Sequence, residues 1–137
     1  MGLVFDTSKD AWETSKGFRK VELPMPKLSE PDDAESVILK IQFAGVCGSD
    51  RGMWFRDAFK EMILGSLTRD NKTTRIVGHE CFGEIVEAGS AVEKNYGLKI
   101  GDTVSAESHV TCGRCFQCRN GELHVCTEEK ILGISTD

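Results

Sequence analysis

The 137-residue sequence predicts a mainly β fold with short helices, built as one domain. Three observations carry that expectation. Val37, Leu39, Ile41 and Phe43 fall on one face of a period-two pattern, with Lys40 and Gln42 on the other. Glu84 to Ala88 reads as a buried strand held between Gly83 and Gly89. One stretch changes period: Trp54, Phe55, Ala58, Phe59, Met62 and Ile63 recur at one- and four-residue steps, an apolar helical stripe over 51–64.

Taken in order, the chain begins with the apolar piece Leu3-Val4-Phe5, and a second piece, Phe18 to Leu23, alternates from Lys20 onward as a strand with one wet face. Pro24, Pro26 and Pro31, the only prolines, punctuate a loop that ends in Asp32-Asp33. The strand at Val37 runs into Cys47, which has Gly45 and Gly48 close on either side. After the helical stretch Gly65 reads as a stop and Ser66 to Thr74 as a polar, basic surface loop. Lys94 to Lys99 reads as a turn around Gly97, and Ile100 to Ser105 as a tight turn into a strand. The chain stops at Asp137 in mid-pattern, without a helix cap or polar tail, so it is expected to continue into a larger protein.

Apolar content is 39%, charged content 28% and the formal net charge −5, the balance of an ordinary soluble protein. No apolar run approaches the ~20 residues of a membrane span, and the N-terminus lacks a secretory signal. The expected setting is cytoplasmic, where six cysteines read as metal ligands or catalytic groups rather than disulfides.

Their spacing singles out Cys112, Cys115 and Cys118, three thiols at three-residue steps, with Cys126 eight positions on. Four thiolates can close a tetrahedral shell, and the spacing favours a structural Zn2+ over an iron–sulfur cluster or free thiols. His124 lies within this lobe and is expected at the surface, because four thiols already fill the shell. A second set, Cys47, His79 and Glu80, comes from separated segments and offers sulfur, nitrogen and oxygen, a donor set suited to a catalytic zinc with one position left open. Residue chemistry alone leaves this reading level with a buried cysteine beside a surface His-Glu pair. Cys81 fits no ligand position and reads as a small core residue.

Together these motifs resemble the zinc-containing medium-chain alcohol dehydrogenases. Gly78-His79-Glu80 followed by Gly83, Gly89 and Val92 looks like the family's zinc signature. Gly45 to Asp50 resembles its catalytic-cysteine motif, Gly101-Asp102-Thr103-Val104 its Gly-Asp-x-Val turn, and the four cysteines its structural-zinc lobe. Glu107-Ser108-His109 is most similar to the threonine and polyol dehydrogenase branch. The resemblance implies a GroES-like, partly open β-barrel with a structural-zinc lobe. It implies that Cys47 and His79 bind a catalytic zinc, that Glu80 binds it directly or supports it, that Ser49 takes the alcohol proton, that Asp50 orients a ligand, and that His109 lines the substrate site. It further implies NAD or NADP as cofactor, a small alcohol or polyol substrate, and a homo-oligomer at full length.

Two departures stand out. The segment joining Cys47 to His79 is longer than the family usually has, and is expected to serve as a lid or an oligomer contact. No Gly-x-Gly-x-x-Gly opens a helix after a strand, so the chain's own Rossmann cofactor domain, with a further glutamate ligand, is expected beyond Asp137. Residues 1–137 alone are then expected to be inactive. The competing class is a zinc-stabilised binding module. Nucleic acid is disfavoured as its partner: Arg114, Arg119 and Lys130 are offset by Glu122, Glu128 and Glu129, and four thiolates around one divalent ion would add further negative charge. A metal-free ring former is disfavoured by two sets of zinc ligands.

Overall fold

A computed structural model describes all 137 residues, which divide into two compact units. Residues 1–22, 46–79 and 107–137 form the first, and residues 23–45 and 80–106 the second. The architecture is mainly β with short helices, as the pattern predicts, and its sheets are open, with linear strand orders.

In the first unit β1 (Gly2–Asp6) is central, with β2 (Arg19–Val21) antiparallel on one side and a strand at Thr74–Ile76 antiparallel on the other. The pairing Val4↔Ile76 sets the height at which the chain leaves the sheet towards His79. Against it lie α1 (Gly48–Phe55) and α2 (Lys60–Asp70). Phe5, Trp12, Met53, Ile63, Leu67 and Ile134 form one buried cluster, with Val77 and Ile131 at its margin. Phe5 and Trp12 meet edge to face at 5.6 Å. The Arg56 guanidinium lies 4.7 Å from the Phe5 ring centre, so a cation lids the cluster without a carboxylate.

The single helix expected over 51–64 is two helices. Arg56 and Phe59 take left-handed backbone angles, φ 66° and 70°, and break the stripe. The Arg56 bonds to Ser15 and Gly17 hold one side of that break. Helix α2 then passes straight through Gly65, and the segment expected as a surface loop is helical to Asp70. Ile63 and Leu67, four apart, are buried on one face, and that burial outweighs the helix cost of about 1 kcal/mol at one glycine. The stop falls at Asn71, φ 52°, whose N–H returns to Leu67 and Thr68 carbonyls. Trp54, Phe55 and Met62, placed in the stripe by spacing, are instead exposed, while Met53 takes the buried place.

In the second unit β3 (Val37–Gly45) pairs antiparallel with a nine-residue strand, Glu80–Ala88, which pairs in turn with Thr103–Ser105. In chain order these are β5 and β6, and Thr74–Ile76 is β4. The expected strand Glu84–Ala88 is thus the second half of β5. Gly83 is buried, and a Cβ there would stand 2.6 Å from the Lys40 carbonyl oxygen, so the close approach of β3 requires glycine. Register shifts at Ile38/Leu39 and Ile41/Phe43 interrupt the alternation of β3, and Phe43 ends 71% exposed beside Phe82. Lys94 to Lys99 begins within a one-turn helix, α3 (Val92–Tyr96), closed by Gly97. Cys81, expected in the core, is only half-buried, because β5 has one covered face at that point.

Candidate metal centre

The Cys47 thiol is placed by the start of α1. Cys47 is extended (ψ −173°) and caps the helix, while Asp50, three residues on, accepts the Cys47 N–H through Oδ2 at 2.9 Å. The sequence Cys-Gly-Ser-Asp therefore turns the thiol and the Ser49 hydroxyl to one side. His79 arrives from β4 by way of Val77, whose N–H is held by the Leu3 carbonyl at 2.9 Å. Cys47 Sγ and Ser49 Oγ both lie 3.2 Å from His79 Nε2, and Sγ lies 2.7 Å from Oγ.

That geometry can be tested against a zinc site. Zn–S near 2.3 Å and Zn–N near 2.0 Å at a tetrahedral angle put sulfur and nitrogen about 3.6 Å apart. The observed 3.2 Å needs to open by a few tenths of an ångström. On the far side of the ring, His79 Nδ1 and Asp50 Oδ1 are both buried without a hydrogen-bond partner, 3.8 Å apart. A ligating imidazole gives its other N–H to a carboxylate, and these two orphans need approach by only about 1 Å to form that bond. The residues fit a divalent ion at Nε2. Asp50→Asn should keep the helix cap yet weaken metal binding at Cys47 and His79 about 10- to 100-fold, read by competition with a chromogenic chelator.

Glu80 opens β5 opposite Gly45, is exposed, and belongs to the second unit. His109 opens the short strand β7 (His109–Val110), paired with β8 (Lys130–Ile131). Its side chain is 51% exposed and turned to its own neighbours, with Nδ1 3.0 Å from Glu107 Oε1. That bond, with the His109 N–H, holds the Glu107 carboxyl below its ordinary value. The His109 ring nitrogens are not among the donor atoms gathered within 4.8 Å at Cys47 and His79.

The four-cysteine lobe is the clearer site. All four sulfurs lie within 4.8 Å of one another, and Cys115 and Cys126 are 4.0 Å apart. A zinc tetrathiolate has sulfur edges of about 3.8 Å, and a disulfide would need about 2.05 Å. The thiols are therefore spaced for a shared ion. Backbone N–H groups of Cys112, Cys115 and Cys118 point at Cys126, Cys112 and Cys115 sulfurs at 3.3–3.4 Å. Bonds from the Cys118 and Thr127 N–H groups pull the Cys115 thiol down, while burial pushes Cys118 up, reinforced by neighbouring thiols. His124 is exposed and outside the cluster, as expected.

Residues 33–136 match the alcohol dehydrogenase GroES-like domain family. The chain belongs to that family, whose fold class was expected from its motifs. Among curated relatives, L-threonine 3-dehydrogenase from Pyrococcus horikoshii is 37% identical over 121 residues, covering 88% of this chain and 31% of that protein. The Bacillus velezensis L-threonine 3-dehydrogenase is 36% identical over 124 residues, covering 90% and 32%. Among solved structures, galactitol-1-phosphate dehydrogenase from Escherichia coli superposes with a TM-score of 0.73 at 25% identity, over 99% of this chain and 32% of that one. The alcohol dehydrogenase of Aeropyrum pernix superposes with a TM-score of 0.71 at 28% identity, over 99% and 34%. The chain thus spans about a third of the length of its relatives. No helix is long and apolar enough to cross a membrane.

Proposed function

We propose that residues 1–137 are the zinc-binding catalytic domain of a longer NAD(P)-linked dehydrogenase that oxidises a secondary alcohol of the threonine or polyol type. The observation that carries this is the meeting of Cys47 Sγ, Ser49 Oγ and His79 Nε2 within 3.2 Å, from segments 30 or more residues apart. Cys47 and His79 are the proposed ligands of the catalytic ion, with Glu80, next in the chain, as a third or a support. Cys112, Cys115, Cys118 and Cys126 are the proposed structural site.

Bound zinc would supply Lewis acidity at the substrate oxygen, and a nicotinamide bound by a Rossmann domain of the full-length chain would accept the hydride. What this chain adds is placement. Ser49 Oγ lies beside the two proposed ligand atoms and carries one proton and two lone pairs, so it can accept the alcohol proton on a lone pair while passing its own proton on towards solvent. Asp50 steadies the imidazole from behind. His109, exposed near the lobe, is a proposed wall of the substrate site. A cytoplasmic, homo-oligomeric enzyme acting on a small alcohol belongs to the same reading.

The test uses the full-length protein. Cys47→Ala should lower kcat/KM for secondary-alcohol oxidation by about a thousandfold, the loss of several kcal/mol of charge stabilisation at the reacting oxygen. Residues 1–137 alone should not turn over. NAD(P)-dependent oxidation that survives Cys47→Ala would overturn the assignment.

A further inference from the structure

The approach to His79 is braced from an unexpected quarter. Gly133 is buried with φ +72°, and its α-carbon lies against the peptide of Gly78, itself at φ +99°. A Cβ on Gly133 would stand 2.8 Å from both the nitrogen and the carbonyl carbon of Gly78, and closer still to its oxygen. Backbone rests on backbone here, so neither side can yield as a flexible side chain would.

Gly133 in turn sits in a tight loop, Ile131 to Asp137. The Ser135 and Thr136 N–H groups return to the Ile131 carbonyl, and the Gly133 N–H to that of Thr136. Helix α2 grips the loop from outside: Arg69 Nη2 donates to the Ser135 carbonyl at 2.7 Å, and Lys72, just past its end, pairs with Asp137 at 2.6 Å. Ile134 is buried among Ile63 and Leu67 of the same helix. On the near side Asp137 Oδ1 accepts the Ile76 N–H at 3.0 Å. The loop therefore holds the three residues Ile76 to Gly78, which lead into His79, at both ends, by a carboxylate at Ile76 and by a glycine contact at Gly78.

We propose that Gly133 is a positioning residue for His79, and that α2 acts as a brace for the ligand histidine through the 131–137 loop. The proposal rests on reading Cys47 and His79 as metal ligands. It adds that their 3.2 Å approach depends on the absence of a side chain at position 133. It also gives the long segment after Cys47 a role that is neither lid nor oligomer contact.

The test compares Gly133→Ala with Gly97→Ala in the full-length protein, its four-cysteine lobe first filled with Zn2+. Gly97 has φ +70°, and a methyl group there would meet nothing within 4 Å, so both variants carry the same backbone strain and only one carries the contact. Two readouts are taken: Co2+ titration of the second site, and the nuclear Overhauser effect linking the His79 ring to the Cys47 β-protons without metal in that site. Gly133→Ala should weaken Co2+ binding about tenfold or more and abolish the Overhauser effect, while Gly97→Ala changes neither. If both readouts survive in Gly133→Ala, the proposal is overturned. If the unsubstituted protein shows the Overhauser effect and takes up no Co2+, the metal reading fails, and the Overhauser comparison alone decides the positioning claim. Should Gly133→Ala not fold, Arg69→Gln removes the side-chain hydrogen bond from α2 to the Ser135 carbonyl without adding bulk. It should weaken both readouts at least severalfold, and no change in either would overturn the brace.

Discussion

Cys112→Ala should remove the one tightly held Zn2+ per chain and unfold the 112–126 lobe, whereas Cys47→Ala should leave that ion in place. The two sites differ in what they offer. Four sulfurs already stand within 4.8 Å of one another in the lobe, each with a short tether to the next. A structural zinc site of this kind binds with about 10–16 kcal/mol at pH 7, as much as the whole stability of a typical domain. The lobe has little apolar burial to replace it, since Phe116, Leu123 and Val125 are all exposed. At Cys47 and His79 this unit contributes one thiol and one imidazole, and occupancy there should be partial or nil in the isolated chain. Metal content per chain, measured for both variants, checks the ranking; equal loss from both would contradict it. The lobe should also release zinc as pH falls. Burial raises the Cys118 thiol, so it carries its proton in the free lobe and must lose it to bind. Each proton so displaced makes affinity fall about tenfold per pH unit on acidification.

Arg75→Met should lower unfolding stability by about 3 kcal/mol, the low end for breaking a buried ion pair whose carboxylate partners keep some contact with water. The Arg75 side chain is 0% exposed. Nη2 donates to Asp70 at 2.7 Å and to Ser66 Oγ at 3.1 Å, and Nη1 lies 3.0 Å from Asp137 Oδ1. That last contact is an ion pair by distance without hydrogen-bond direction, and Nε has no partner, so the cation depends on the two carboxylates. Bonds from Arg69 and then Arg75 hold Asp70 well below the carboxylate range. At Asp137 burial pushes upward, but Lys72, the Ile76 N–H and Arg75 together outweigh it and the net direction is down. Groups depressed on folding contribute stability that is complete above their unfolded values, near pH 4, and that is lost as pH falls through the folded ones. Acid unfolding should therefore begin below about pH 4. The Arg75→Met variant should show a lower denaturation midpoint at pH 7 and a shallower decline in acid. A midpoint equal to that of the unsubstituted protein would refute the role.

Much of the site was legible in the residues because its signals are local. Cys112, Cys115 and Cys118 lie within one turn-sized segment, so their convergence follows from chain length alone. Cys47, Ser49 and Asp50 share one helix start, where capping chemistry decides which way each points. Arg75 and Gly133 were not legible. An arginine in a three-residue strand reads as a surface charge until Asp137, 62 positions away, is seen beside it. A glycine near the chain's end reads as a turn until its neighbour proves to be Gly78. The break at Arg56 to Phe59 was hidden for a similar reason: the apolar spacing is continuous, and only the Arg56 bonds to Ser15 and Gly17 reveal the left-handed residues.

By itself the sequence determined the family and the mainly β class, and it singled out the cysteines and the histidine that the fold gathers into two clusters, since these follow from spacing and period over short stretches. Only the tertiary structure decided that α2 continues past Gly65 into the core, that His109 turns to Glu107, and that His79 is steadied by residues from the far end of the chain. The physical reason is that burial and backbone-to-backbone contact depend on what meets a residue across the fold, and such partners leave no periodic trace in the chain itself.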